Sequence, residues 1–174
     1  LLSGPHADIH NILICGLGGS GIGGTIVNDL VSENINVPIS VTKDYSIPNF
    51  VDENTLVIAS SYSGNTEETL YALEACQNRR PQIACVTSGG ALEKLAKEKG
   101  FNCITIPGGQ PPRAMFGYSF TQLFFLLNHY GLIDNSFMSE FEKAIELLDS
   151  KEEAIKTEAK VLATKLHGTT PVIY

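Results

Sequence analysis

ILICGLGGSGIGG, residues 12–24, is an apolar run that passes directly into glycines. Gly16, Gly18 and Gly21 give the spacing G-x-G-x-x-G, which after a strand usually marks a dinucleotide site. Glycines let the backbone approach a ligand and leave N–H groups pointing at it. The helix that follows adds its positive N-terminal end. Ser20 stands where it could cap that helix or give its hydroxyl to a phosphate oxygen. A tight strand-to-helix turn without a ligand would use the same glycines, so this loop alone does not say whose phosphate it holds.

Working outward, residues 11–15 read as a buried strand and 20–32 as a helix, with Ile22, Ile26, Val27, Leu30 and Val31 on one face. Strands follow over 38–42, 55–59, 83–86 and 103–106. A helix after the third strand carries Leu70, Leu73 and Cys76 at helical spacing. Another, over 90–99, stops at Gly100. Short apolar strands alternating with amphipathic helices mean βαβ units and a parallel sheet with helices on both faces. The predicted class is a three-layer, doubly wound, five-stranded α/β domain over residues 1–134. Residues 114–130 read as a helix apolar nearly all round, suited to core and a dimer interface, with Tyr118 and His129 as satisfied interior groups. Residues 135–170 read as a connector of two charged helices, with Glu140, Glu142, Lys143, Glu146 and Asp149 facing solvent. Residues 171–174 read as the first residues of a further strand, so the sequence is expected to be a piece of something longer.

Bulk properties narrow the function classes. The 174 residues are 43% hydrophobic and 18% charged, which suits a domain with a real core. A net charge of -7 and the lack of any Lys/Arg cluster argue against a nucleic-acid partner. Cys15, Cys76, Cys85 and Cys103 form no C-x-x-C pair and read as core thiols of a reducing, cytoplasmic compartment. His6 and His10 are four apart but lack companions for a metal site. The most apolar helix is interrupted by Ser119, Thr121, Gln122, Asn128 and His129, so no membrane span is expected.

Two further loops follow strands. SSYSGNTEET, residues 60–69, puts the hydroxyls of Ser60, Ser61, Ser63, Thr66 and Thr69 at a helix start. Asn65 with Glu68 has capping-box spacing, which accounts for two residues only. Neutral hydroxyls plus backbone N–H groups can bind a compact phosphate dianion, each such bond being worth roughly 1.5–3 kcal/mol. Glu67 and Glu68 must then point away, complementing the helix dipole. PGGQPPRAMF, residues 107–116, carries Arg113, the only charged residue between Lys99 and Asp134. Its partner is therefore distant in sequence, or solvent, or an anionic ligand.

Strand order decides which loops can cooperate. Ligands of open α/β sheets bind beyond the carboxyl ends of the strands, where the order reverses. In a flavodoxin-like order, 2-1-3-4-5, the loops after the first and third strands face each other across one crevice. In the dinucleotide-binding order, 3-2-1-4-5-6, the second strand separates them. Asp44 stands near where a ribose-binding acid would fall, but that reading leaves the second and third loops unexplained. A small phosphosugar explains both.

GLGGSGIGG followed by SSYSGNTEETL resembles the sugar isomerase (SIS) domain family. PPRAMFGYSF narrows this: together the three segments are similar to the bifunctional phosphoglucose/phosphomannose isomerases. The resemblance covers residues from about 12 to 130. It implies tandem five-stranded domains, with a substrate site between them and across a homodimer. It implies that Ser61, Ser63 and Thr66 hold the phosphate, that Gly18, Gly19 and Ser20 line the sugar site, and that Arg113 steadies an enediol(ate). No cofactor or metal is implied. The implied reaction interconverts glucose 6-phosphate or mannose 6-phosphate with fructose 6-phosphate. The family's base glutamate and ring-opening histidine belong to the second domain, and Glu67, Glu68, His129 and His167 match neither. Two other functions remain open on sequence: a non-catalytic sugar-phosphate sensor and a nucleotide-dependent oxidoreductase.

Overall fold

The computed structural model describes residues 2–172. The chain divides into two compact units, Leu1–Asp134 and Asn135–Tyr174. The first holds a five-stranded parallel sheet in the order β2-β1-β3-β4-β5. Its strands are β1 (Asn11–Cys15), β2 (Ile39–Thr42), β3 (Thr55–Ser61), β4 (Gln82–Thr87) and β5 (Asn102–Thr105). The helices are α1 (Gly18–Val31), α2 (Glu67–Gln77), α3 (Gly90–Lys99) and, after a 3-10 turn at Pro112–Met115, α4 (Phe116–His129). The flavodoxin-like order is therefore the one adopted, and the dinucleotide-binding order is not.

Buried strands alternate their side chains between two faces. Leu13, Cys15, Val57, Ala59, Ile83 and Cys85 pack with Ala72, Leu73 and Cys76 of α2 and Leu92 and Ala96 of α3. Ile12, Ile14, Leu56 and Ile58 are equally buried and face the other way, toward α1 and α4. The strand register runs Cys15 to Ala59 to Cys85 to Cys103. Three cysteines thus stand in one row beneath α2 and α3, and all four are free thiols. Burial pushes the Cys85 thiol up to about 12.

The glycines of residues 16–24 mostly serve this packing. A Cβ on Gly24 would lie 2.9 Å from Ile14 Cγ2, and one on Gly21 would lie 2.5 Å from Gly16 O. On Gly16 a Cβ would sit 3.0 Å from Ser60 O. These three let the chain reverse tightly and α1 lie close on the sheet. Gly18 differs, because it needs a positive φ of 57°.

Several boundaries differ from the sequence reading. α1 begins at Gly18, with Leu17 as N-cap, so Ser20 lies inside the first turn rather than capping it. β3 runs two residues further than expected, to Ser61, because Ser60 and Ser61 continue the ladder opposite Val86 and Thr87 of β4. Gly100 ends α3 in the left-handed conformation, with φ 72°. The apolar helix is buried on one side only: Leu123, Phe124, Leu126 and Leu127 are buried while Tyr118 is 52% exposed, so Tyr118 is no interior group. His129 is half-buried, its Nε2 lying 2.7 Å from Ser3 O.

The second unit carries one continuous helix, α5 (Ser136–Leu166), where two were expected. No proline or glycine interrupts residues 136–166, so nothing stops the helix. Glu140, Glu142, Lys143, Glu146 and Asp149 are exposed as expected. The strand expected over 171–174 is not formed at Pro171 and Val172; Ile173 and Tyr174 lie outside the described residues. Among the described residues no helix is long and apolar enough to cross a membrane.

Candidate functional site

β1 and β3 are direct neighbours, with Cys15 opposite Ala59. The glycine loop after β1 and the hydroxyl loop after β3 are thereby brought together at the carboxyl edge of the sheet, where strand order reverses. They line one cleft of about 270 Å³, with Leu17, Gly18, Gly19 and Ser20 on one wall and Tyr62, Ser63 and Thr66 on the other. Pro112, Phe116 and Ser119 complete it.

The hydroxyl loop is built to hold its shape. Gly64 has a φ of 67°, and a Cβ there would collide with Gly89 O. Asn65 does not form the expected capping box. Its Oδ1 accepts from Ala91 N–H at 3.0 Å and its amide nitrogen donates to Ser63 O at 3.2 Å. Asn65 is thus drawn away from Glu68 to tie the loop to the start of α3. Thr66 is the N-cap of α2, with no side-chain cap bond of its own. The first N–H groups of α2 therefore open toward the loop. Glu67 is exposed and Glu68 half-buried, both in the first turn, and neither lines the cleft.

The serines divide by depth. Ser63 is exposed and lines the cleft; its Oγ accepts from Asn65 N–H at 3.2 Å and keeps its own hydrogen to donate. Ser61 is buried and lies behind the wall. Its Oγ is 2.8 Å from Thr66 Oγ1 and accepts from Gly64 N–H at 3.1 Å. Ser60 and Thr69 are also buried and do not line the cleft. Of the residues singled out in the sequence, Gly18, Gly19, Ser20, Ser63 and Thr66 come together on the cleft, and Ser61 supports them from beneath.

Arg113 sits in the 3-10 turn beside the lining residue Pro112. It is exposed and does not itself line the cleft. Among the described residues it makes no ion pair and no hydrogen bond, so the distant carboxylate that might have claimed it is not there. Leu17, Tyr62, Pro112, Phe116 and Ser119 also line the cleft, roles the sequence does not assign to them. Tyr62 stands between two serines of the hydroxyl loop, and that position is its available signal. Phe116 and Ser119 lie in the PPRAMFGYSF segment, but an apolar helix hides which of its faces meets a crevice. Asp44 borders a different, far smaller void, with Thr42, Lys43 and Glu68. Among the described residues no cluster of three or more His, Cys, Asp or Glu could hold a metal ion.

A model of the SIS domain matches residues 7–130. The bifunctional phosphoglucose/phosphomannose isomerase of Caldicellulosiruptor bescii is 42% identical over 174 residues, taking in 96% of this chain and 51% of that protein. Its counterpart in Aquifex aeolicus is 39% identical over 164 residues, 94% of this chain and 49% of that protein. The chain spans about half the length of the curated relatives it matches. Among solved structures, the C-terminal domain of glucosamine-fructose-6-phosphate aminotransferase from Francisella tularensis matches with a TM-score of 0.68 at 18% identity. That match covers 92% of this chain and 48% of the other, and it speaks to the fold alone.

Proposed function

The chain belongs to the SIS domain family, and on that premise we propose that it is the phosphate-binding half of a hexose 6-phosphate aldose–ketose isomerase. One observation carries the reading: the glycine loop and the hydroxyl loop share a cleft sized for a small molecule. Ser63 and Thr66, with the N–H groups that begin α2, take the phosphate as charge-assisted donors. Gly18, Gly19 and Ser20 pass along the sugar, and Ser61 orients Thr66. Arg113, with no partner among the described residues, is left to neutralise the enediolate that forms as a proton moves between C1 and C2. The base and the ring-opening acid lie outside residues 1–174, in a second domain of the same kind. Residues 1–134 are then the first domain, and 135–170 the connector. Glucose 6-phosphate, mannose 6-phosphate and fructose 6-phosphate are the substrates, in a cytoplasmic homodimer that needs no cofactor.

The cleft's lining includes no carboxylate and no imidazole. That favours a second reading, a sugar-phosphate-binding regulatory domain without turnover. Calorimetry on this chain tests what both share: fructose 6-phosphate should bind while fructose and NAD do not. Binding of NAD alone, or equal binding of fructose, would sink both. Isomerase assay of the two-domain protein separates them, since only an enzyme converts fructose 6-phosphate to an aldose phosphate. Sedimentation at two concentrations tests the homodimer.

A further inference from the structure

The 107–111 loop, PGGQP, has two prolines without N–H groups and two glycines, Gly109 with a φ of 85°. Such a stretch has few ways to fasten itself to the protein. Apart from the turn bond of Ala114 N–H to Pro111 O, its described hydrogen bonds all involve one side chain. The Tyr62 hydroxyl donates to Gln110 O at 2.9 Å and accepts from Gln110 N–H at 3.1 Å. One oxygen thus satisfies both backbone groups of one residue, as a neighbouring strand would.

Tyr62 is itself held from the sheet. Its carbonyl accepts from Ser88 N–H at 2.9 Å and from Ser88 Oγ at 2.6 Å, just past the end of β4. Between Gln110 and Arg113 stand only Pro111 and Pro112, whose rings fix φ and restrict the residue before each. Displacing Gln110 therefore displaces Arg113 with little to absorb the change. Pro112 and Tyr62 both line the cleft.

We propose that Tyr62 is a positioning residue: its hydroxyl latches the 107–111 loop to the phosphate loop and so sets where Arg113 stands beside the cleft. The phosphate and the arginine would then be placed by one shared joint. The kinetic part of this inference rests on the isomerase reading above; the latch itself does not.

Tyr62→Phe keeps the ring and removes both bonds. In this chain, the Gln110 amide should exchange with solvent about tenfold faster, as expected for losing a hydrogen bond. Unchanged exchange at Gln110 overturns the latch. In the two-domain protein, kcat should fall about tenfold with KM shifting less than about twofold. In an Arg113→Ala background the same change should add nothing, because the two act as one unit. An equal fall in both backgrounds overturns the link to Arg113. A wild-type protein that turns over no hexose phosphate overturns the isomerase reading instead, and the exchange result then decides the latch alone.

Discussion

The hydroxyl oxygens of Ser61 and Thr66 lie 2.8 Å apart, and Ser61 Oγ also accepts from Gly64 N–H. A phosphate dianion can only accept hydrogen bonds. If Thr66 donates to such a ligand, it must accept from Ser61, which fixes the direction of the whole chain of donors. A buried serine that does not line the cleft would thereby decide which way the half-buried Thr66 hydroxyl points.

Replacing both outer hydroxyls should separate phosphate binding from sugar binding. Ser63→Ala with Thr66→Ala is expected to weaken fructose 6-phosphate binding by roughly tenfold or more, given about 1.5 kcal/mol for a hydrogen bond to a charged group. Binding of unphosphorylated fructose should stay where it was, at or near undetectable. Titration calorimetry on both ligands reads this directly. Unchanged binding of fructose 6-phosphate by the double variant would remove the phosphate role.

Two glycines of one helix should respond in opposite ways to the same methyl group. Gly24→Ala presses a Cβ to 2.9 Å from Ile14 Cγ2, so stability should drop by about 1–3 kcal/mol. Gly19→Ala meets nothing within 4 Å, yet Gly19 lines the cleft. That variant should unfold at the same or a slightly higher urea concentration, while its affinity for fructose 6-phosphate falls. Urea titrations of the pair check the first half and calorimetry the second.

Arg113→Ala tests the third loop. The side chain is exposed and unpaired among the described residues, so stability should change by less than about 0.5 kcal/mol. In the two-domain protein kcat should fall more than KM rises, because a developing charge is what an isolated guanidinium serves. An unchanged kcat would contradict the assignment.

Alkaline pH should loosen the core through its thiols. Burial raises Cys85 to about 12 from an ordinary 9.0. Cys15 is also raised, first by its thiol hydrogen bond with Cys76 and then by burial. A group whose folded value is raised stabilises fully below its unfolded value, and that contribution fades as pH climbs toward the folded one. Unfolding free energy should therefore decline between about pH 9 and 12, by up to about 1.4 kcal/mol per pH unit from Cys85, while the rise at Cys15 is offset in part by the lowering of its partner Cys76. Cys85→Ala should flatten this slope; a slope identical to that of the parent protein would show that other groups set it.

Much of the fold was legible because hydrophobic period and turn chemistry agree along residues 11–106. The neighbouring of β1 and β3 could be argued from the loops, since only that order gives the hydroxyl cluster a counterpart. What escaped was tertiary. Asn65 could cap α2 on local spacing, but Ala91 N–H outbids Glu68 for its side chain. Ser61 and Ser63 look alike in sequence, but β3 ends at the buried Ser61 and the bend that follows carries Ser63 out onto the wall. Tyr118 faces solvent because the apolar helix is covered on one side, which composition cannot reveal. The clasp between Tyr62 and Gln110 joins positions far apart in sequence and leaves no local trace.

The sheet's wiring also constrains how the molecule comes into being. Ile12 takes Ile39 and Leu56 as its flanking partners, and none of the parallel pairings can close as a hairpin. β1 is synthesised before either neighbour, so this apolar pentapeptide stays unpaired until both have followed it. Slow acquisition of long-range order follows from such architecture. A charge added to β1 to keep it soluble while unpaired would end up buried in the finished interior.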